Sequence, residues 1–131
     1  MSGFGRGRSV VVLAISVAVL AGVGAIFAFP SPVDAPIQEY TLGARMWNFT
    51  SEAADNPEIV VNKGDIVRIT VRAADIAHNF FIDELDVKSE TISKGETITV
   101  EFVADKAGSF HYYCSLPSHR TLGMEGKITV K

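Results

Sequence analysis

Apolar and polar residues alternate with a period of two along most of the C-terminal part of this chain. That period suits β-strands and excludes amphipathic helices. In Asp65–Arg72 (DIVRITVR), Val67, Ile69 and Val71 fall on one side, and Arg68, Thr70 and Arg72 on the other. In Glu96–Val103, Ile98, Val100 and Phe102 alternate with Thr97, Thr99 and Glu101, and in Gly126–Lys131, Ile128 and Val130 share a face. Turn signals at Asn62–Lys63–Gly64, Lys94–Gly95 and Lys106–Ala107–Gly108 separate the runs. The pattern predicts strands at about 38–43, 45–49, 57–61, 65–72, 78–82, 87–92, 96–103, 108–114 and 125–131. Residues 50–56 form a helical turn or a loop. So many short strands in so short a stretch predict an all-β Greek-key sandwich.

One segment breaks the pattern. Val10–Phe29 (VVVLAISVAVLAGVGAIFAF) has no charged side chain. As a helix it would be about 30 Å long, the thickness of a bilayer's hydrocarbon core. The run exceeds the 7–15 apolar residues usual for a cleaved signal peptide. The small-residue cleavage signals beside it, Ile26–Phe27–Ala28 and Val33–Asp34–Ala35 before Pro36, are poor. A retained transmembrane anchor is therefore expected at 10–29. Arg6 and Arg8 precede it, and Asp34 and Glu39 follow it. The arginines keep the short stub, residues 1–9, in the cytoplasm. The expected location is a single-pass cell-membrane protein with its C-terminal domain on the periplasmic or extracellular face. Pro30, Pro32 and Pro36 mark a linker at 30–36, which leaves one domain at 37–131. That domain carries 10 basic against 14 acidic side chains, a net charge of −4. Nucleic acid is an unsuitable partner for such a balance.

Cys114 is the single cysteine, and the expected topology puts it on the oxidising side of the membrane. A lone thiol there is buried, paired between chains or bound to metal, and composition does not separate the three. Its neighbours bear on the choice. In FHYYCSLPSHRTLGM, Cys114, His119 and Met124 stand at C-x4-H-x4-M just before the last strand, and Pro117 and Gly123 favour a tight loop. His78 lies 36 residues upstream of Cys114. A thiolate, two imidazoles and a long thioether make the donor set of electron-transfer copper sites. Zinc more often takes four firm ligands and seldom methionine.

These residues carry a resemblance to the cupredoxins, the mononuclear type 1 blue copper proteins. The loop YYCSLPSHRTLGMEGKITV is most similar to the rusticyanin and sulfocyanin type. The upstream DIAHNFFIDELDVKSETISKGETITVEFVADKAGSFHYYC is similar to the copper domain of cytochrome oxidase subunit II. The likeness covers about Trp47 to Lys131. It implies a cupredoxin-like sandwich holding one copper ion, with His78, Cys114 and His119 equatorial and Met124 axial. It also implies that Asn79 ties the strand of the first ligand to the cysteine loop through Ser115. His119 would show a ring edge at an apolar surface near Leu116, Pro117 and Leu122, the exit for the electron. Ser118 stands where a binuclear site needs a second cysteine, and no His-x-His pair of the multicopper oxidases occurs. The chain is also shorter than rusticyanin or sulfocyanin.

Some residues have plainer readings. Alternation with Phe110 and Tyr112 would also make Cys114 a core residue; His78 by itself reads as a structural or surface histidine, and Met124 as core filler beside the final strand. His111, an odd number of residues from Cys114, falls on the outer face. Trp47 and Phe80 read as core, and Asp83, Glu84 and Asp86 as a solvated loop or a steering patch. The function expected is electron carriage by Cu(I)/Cu(II) cycling, without catalysis or a small-molecule substrate, between redox proteins of a membrane electron-transport chain. Copper delivery or storage, and a cupredoxin with an open ligand-binding copper site, are the alternatives. Exposed Met- and His-rich tracts, which suit delivery, do not occur.

Overall fold

A computed structural model describes residues 35–131. The predicted stub, the predicted anchor at 10–29 and most of the predicted linker lie outside the described residues. Among the described residues no helix is long and apolar enough to cross a membrane.

Among the described residues, nine strands form two sheets. They are β1 (Ile37–Arg45), β2 (Asn48–Thr50), β3 (Ile59–Val61), β4 (Ile66–Ala73), β5 (Phe81–Ile82), β6 (Val87–Lys88), β7 (Thr97–Val103), β8 (Gly108–Tyr113) and β9 (Glu125–Val130). One sheet runs β2-β1-β4-β7 and the other β3-β9-β8-β5-β6. The pairs β1–β4 and β3–β9 are parallel, and the remaining pairs are antiparallel. This is the all-β sandwich expected from the alternation.

Burial follows the period of two. Val67, Ile69 and Val71 are buried, while Arg68, Thr70 and Arg72 point outward. On the outer face Arg68 lies between Glu39 and Glu101 from the neighbouring strands, and Thr70 meets Thr99 at 3.0 Å. The core between the sheets holds Leu42, Phe49, Ile59, Phe80, Ile82, Tyr112 and Ile128, all at most 2% exposed. Each such aliphatic or aromatic side chain stabilises the fold by roughly 1.5–3 kcal/mol. Phe49, Phe80 and Tyr112 pack ring to ring at 5.3–5.6 Å. Tyr112 satisfies its buried hydroxyl by donating to Pro57 O at 2.7 Å. Its ring lies over Gly126, its partner across the β8–β9 ladder. A Cβ at Gly126 would stand 2.1 Å from the ring, so only glycine fits.

Two of the predicted runs shorten to two-residue strands. The run predicted at 78–82 is a strand only at Phe81–Ile82, and the run at 87–92 only at Val87–Lys88. Between their outer ends a single bridge, His78 to Ile92, takes the place of a ladder. The 3-10 turn Asp83–Leu85 connects the two strands. Residues 51–56 are a loop, with the Ser51 hydroxyl accepting from the amides of Ala53 and Ala54.

Candidate metal centre

The end of the β8–β9 hairpin builds most of the site. Tyr113 pairs with Glu125, so Cys114 and Met124 are the next residues outward, where the ladder opens into a loop. The Cys114 amide donates to Met124 O at 3.2 Å and holds that mouth together. Inside the loop, His119 N–H reaches Leu116 O, Leu122 N–H reaches Ser118 O, Gly123 N–H reaches Arg120 O, and Met124 N–H returns to His119 O, all at 3.0–3.1 Å. Ser118 takes a left-handed backbone (φ 69°) immediately before His119, and Gly123 (φ 114°) makes the last turn before Met124. This is the tight loop that Pro117 and Gly123 predict. It buries Cys114 and Met124 completely and leaves His119 8% exposed.

His78 comes from the other side. Its backbone is fixed by two hydrogen bonds to Ile92, at 3.0 and 2.9 Å. Its fully buried ring places Nε2 2.8 Å from Asp75 Oδ1. An ionised carboxylate only accepts, so Nε2 carries the proton. Nδ1 therefore keeps a free lone pair, and it is the one buried side-chain nitrogen or oxygen without a partner among the described residues. Cys114 Sγ lies 3.3 Å from His119 Nδ1. The donor atoms of His78, Cys114 and His119 all fall within 4.8 Å of one another. An orphaned imidazole nitrogen facing a thiol and a second imidazole fits a soft or borderline metal ion, and copper in particular where a buried methionine adjoins.

Asn79 fastens the two segments together. Its Nδ2 donates to Ser115 Oγ at 2.7 Å, and its Oδ1 accepts from the Ser115 amide at 2.7 Å. The Asn79 amide also points at Cys114 Sγ, 3.5 Å away. The tie expected through Ser115 is present as a two-way clasp.

Burial lowers the basicity of His119, with His78 as a like-charged neighbour adding to the effect and Asp75 opposing it. A ring held neutral keeps a lone pair for metal. Burial opposes ionisation of Asp75, but hydrogen bonds from the Met46 amide, His78 and the Ile76 amide outweigh it and hold the carboxyl below its usual range.

Two neighbours were not legible as such. Trp47, read as core, is half-buried and presents a ring edge-on to His119 at 5.0 Å between centroids. Asp75 carried no motif; only its place three residues before a histidine could have marked it. Phe80 is core as expected. His111 lies on the surface, its Nδ1 2.8 Å from Glu125. Leu122 is half exposed and Pro117 is exposed, while Leu116 packs partly against the core.

Residues 50–131 match the family described as copper binding proteins, plastocyanin/azurin family. The chain belongs to that family. His78, Cys114, His119 and Met124 are accordingly the residues that would hold one type 1 copper ion. Nitrous-oxide reductase of Stutzerimonas stutzeri is 35% identical over 79 residues, 56% of this chain and 12% of that protein. Copper nitrite reductase from Nitrosomonas europaea superposes with a TM-score of 0.65 at 28% identity, over 72% of this chain and 41% of the other. Reduced rusticyanin gives a TM-score of 0.65 at 20% identity, over 74% of this copper-binding chain and 81% of its own. The chain thus spans an eighth of the curated relative and under half of the nitrite reductase. Its cupredoxin fold is shared by enzymes and by small copper proteins alike.

Proposed function

We propose that this copper protein carries single electrons and performs no chemistry on a substrate. The observation that carries the reading is the closure of the site. Three donors lie within 4.8 Å of one another, Met124 is buried beside them, and His119 alone reaches the surface, at 8% exposure. Copper supplies one-electron exchange between Cu(I) and Cu(II), and a softly liganded, prefixed site requires little rearrangement between those states. The chain's own part is to keep the donors fixed. The Asn79–Ser115 clasp, the Asp75–His78 contact and the loop hydrogen bonds tie the His78 segment and the Cys114–Met124 loop together. The edge of His119, with Leu122 and Pro117 beside it, is the route by which an electron would pass to a docked partner.

The reading extends to a tether. The uncharged run at 10–29 would hold the domain on the outer membrane face. Confinement to a surface raises the effective concentration near redox proteins of a membrane electron-transport chain.

The copper-loaded protein tests this reading. A carrier has an intense thiolate-to-copper absorption band, narrow copper hyperfine splitting and reversible one-electron reduction, and azide leaves its spectrum unchanged. A colourless protein with a freely reactive Cys114 would sink the proposal. A spectrum that shifts with azide or nitric oxide would replace it with an open ligand-binding site.

A further inference from the structure

Asp75 lies outside the set of metal donors, yet it contacts one of them directly and another indirectly. Its Oδ1 accepts from His78 Nε2 at 2.8 Å and from the Ile76 amide at 2.7 Å. Its Oδ2 accepts from the Met46 amide at 2.8 Å. Met46 precedes Trp47, whose ring edge packs on His119. One carboxylate therefore spans the space between the His78 ring and the β1–β2 turn that abuts the His119 ring. The remaining groups at hand do not duplicate it. Asn79 is committed to Ser115, and the His78 ring, 0% exposed, meets Asp75 and not solvent at Nε2.

We propose that Asp75 is a positioning residue of the copper centre, fixing the His78 tautomer and favouring Cu(II) over Cu(I). This rests on the copper-site reading given above. The physics has two parts. Accepting from Nε2–H locks the proton there, leaving Nδ1 as the donor and orienting the ring. A carboxylate on the far nitrogen also makes the imidazole more basic and places a negative charge beside the site. The more highly charged ion gains more from both. Losing such a partner typically costs about 10–100-fold in metal affinity, and Cu(II) bears more of that loss than Cu(I).

The test is a potentiometric titration of the full chain, wild type against Asp75→Asn, Asp75→Glu and Asp105→Asn. Asp105 is exposed and sits at the start of the β7–β8 turn, at the opposite end of β8 from Cys114. It controls for simple loss of one negative charge. Asp75→Asn should shift the Cu(II)/Cu(I) partition about tenfold toward Cu(I), a rise of about 59 mV for one electron. Asp75→Glu should stay nearer the wild type, and Asp105→Asn should move the partition less than about twofold. A merely structural role would lower thermal stability and leave the potential in place. An Asp75→Asn shift under about twofold, or one matched by Asp105→Asn or Asp75→Glu, overturns the proposal. A second measurement covers the case in which Asp75→Asn does not fold. In wild-type protein loaded with diamagnetic Cu(I), the His78 Nε2–H should give a nitrogen-15-coupled signal protected from exchange. An unprotected or absent Nε2–H overturns the assignment. Wild-type protein that takes up no copper would defeat the functional reading itself, and with it this one; a blue wild type with an unresponsive variant defeats this one alone.

Discussion

Replacing Asn79 by alanine removes the clasp between the His78 segment and the cysteine loop while leaving every donor in place. Two side-chain hydrogen bonds disappear, both 2.7 Å long. At about 1 kcal/mol net each, the direct loss is about 2 kcal/mol, and the Ser115 amide left without its acceptor adds a fraction more. Ser115 is solvent-exposed, so water compensates part of that second cost. The expected total is about 2–3 kcal/mol. Unfolding entropy near 2.1 cal/mol/K per residue over about 97 residues gives roughly 0.2 kcal/mol/K, so the melting temperature should fall by roughly 10–15 °C. The Asn79 amide that points at Cys114 Sγ belongs to the backbone and survives the substitution. Copper binding should therefore persist, weakened by about 10–100-fold as when other supporting contacts are removed. Thermal unfolding of the metal-free chain, followed by circular dichroism, measures the first quantity, and competition with a chelator of known affinity measures the second. A melting shift below about 3 °C together with unchanged copper affinity would refute the claim that the clasp organises the site.

Gly126→Ala should destabilise by about 2–4 kcal/mol, because a Cβ 2.1 Å from the fully buried Tyr112 ring forces overpacking and breaks the bond to Pro57; chemical denaturation of the variant reads this directly. Tyr112→Phe should cost about 1 kcal/mol at neutral pH. Burial raises the Tyr112 phenol well above its usual range, so above pH 10 the unfolded chain loses this proton while the folded chain keeps it. Stability is then intact below pH 10 and falls as pH rises, by about 1.4 kcal/mol per unit for this group. Melting curves between pH 8 and 11 should be flatter for Tyr112→Phe than for wild type. Met124→Leu should leave copper bound and raise the reduction potential, since a weak thioether adds little to affinity while its electron donation stabilises the electron-poorer Cu(II); complete loss of copper would assign Met124 a stronger role.

Strands with one buried and one wet face were legible because the alternation is physical: Val67, Ile69 and Val71 had nowhere else to go. The stretch around His78 was less so. DIAHNFFI looks extended, but only Phe81 and Ile82 form a strand, paired with Lys88 and Val87, and His78 has just a single bridge to Ile92. Pairing of that kind depends on long-range neighbours that local pattern does not encode. At the site, Cys114, His119 and Met124 were visible because they are evenly spaced within 11 residues and of rare type for one loop. His78 was visible through chain order and its Asn79 neighbour. Asp75 and Trp47 were not, since a lone carboxylate after a strand and an aromatic in a β-rich domain each have commoner explanations. Only tertiary structure brings the Met46–Trp47 turn beside the His119 ring and onto the carboxylate that meets His78.

The hairpin mouth has one more consequence, which concerns the unfolded chain. Cys114, His119 and Met124 lie within a stretch of 11 residues, and that proximity outlasts the loss of every sheet. His78, separated from Cys114 by 36 positions, is the donor that unfolding removes. A denatured chain therefore keeps a thiolate, a thioether and an imidazole on one short tether and retains affinity for Cu(I). A metal stabilises a fold only by the ratio of its affinities for the folded and unfolded forms. Cu(I) should thus protect this protein against denaturation less than its affinity for the native site alone would suggest.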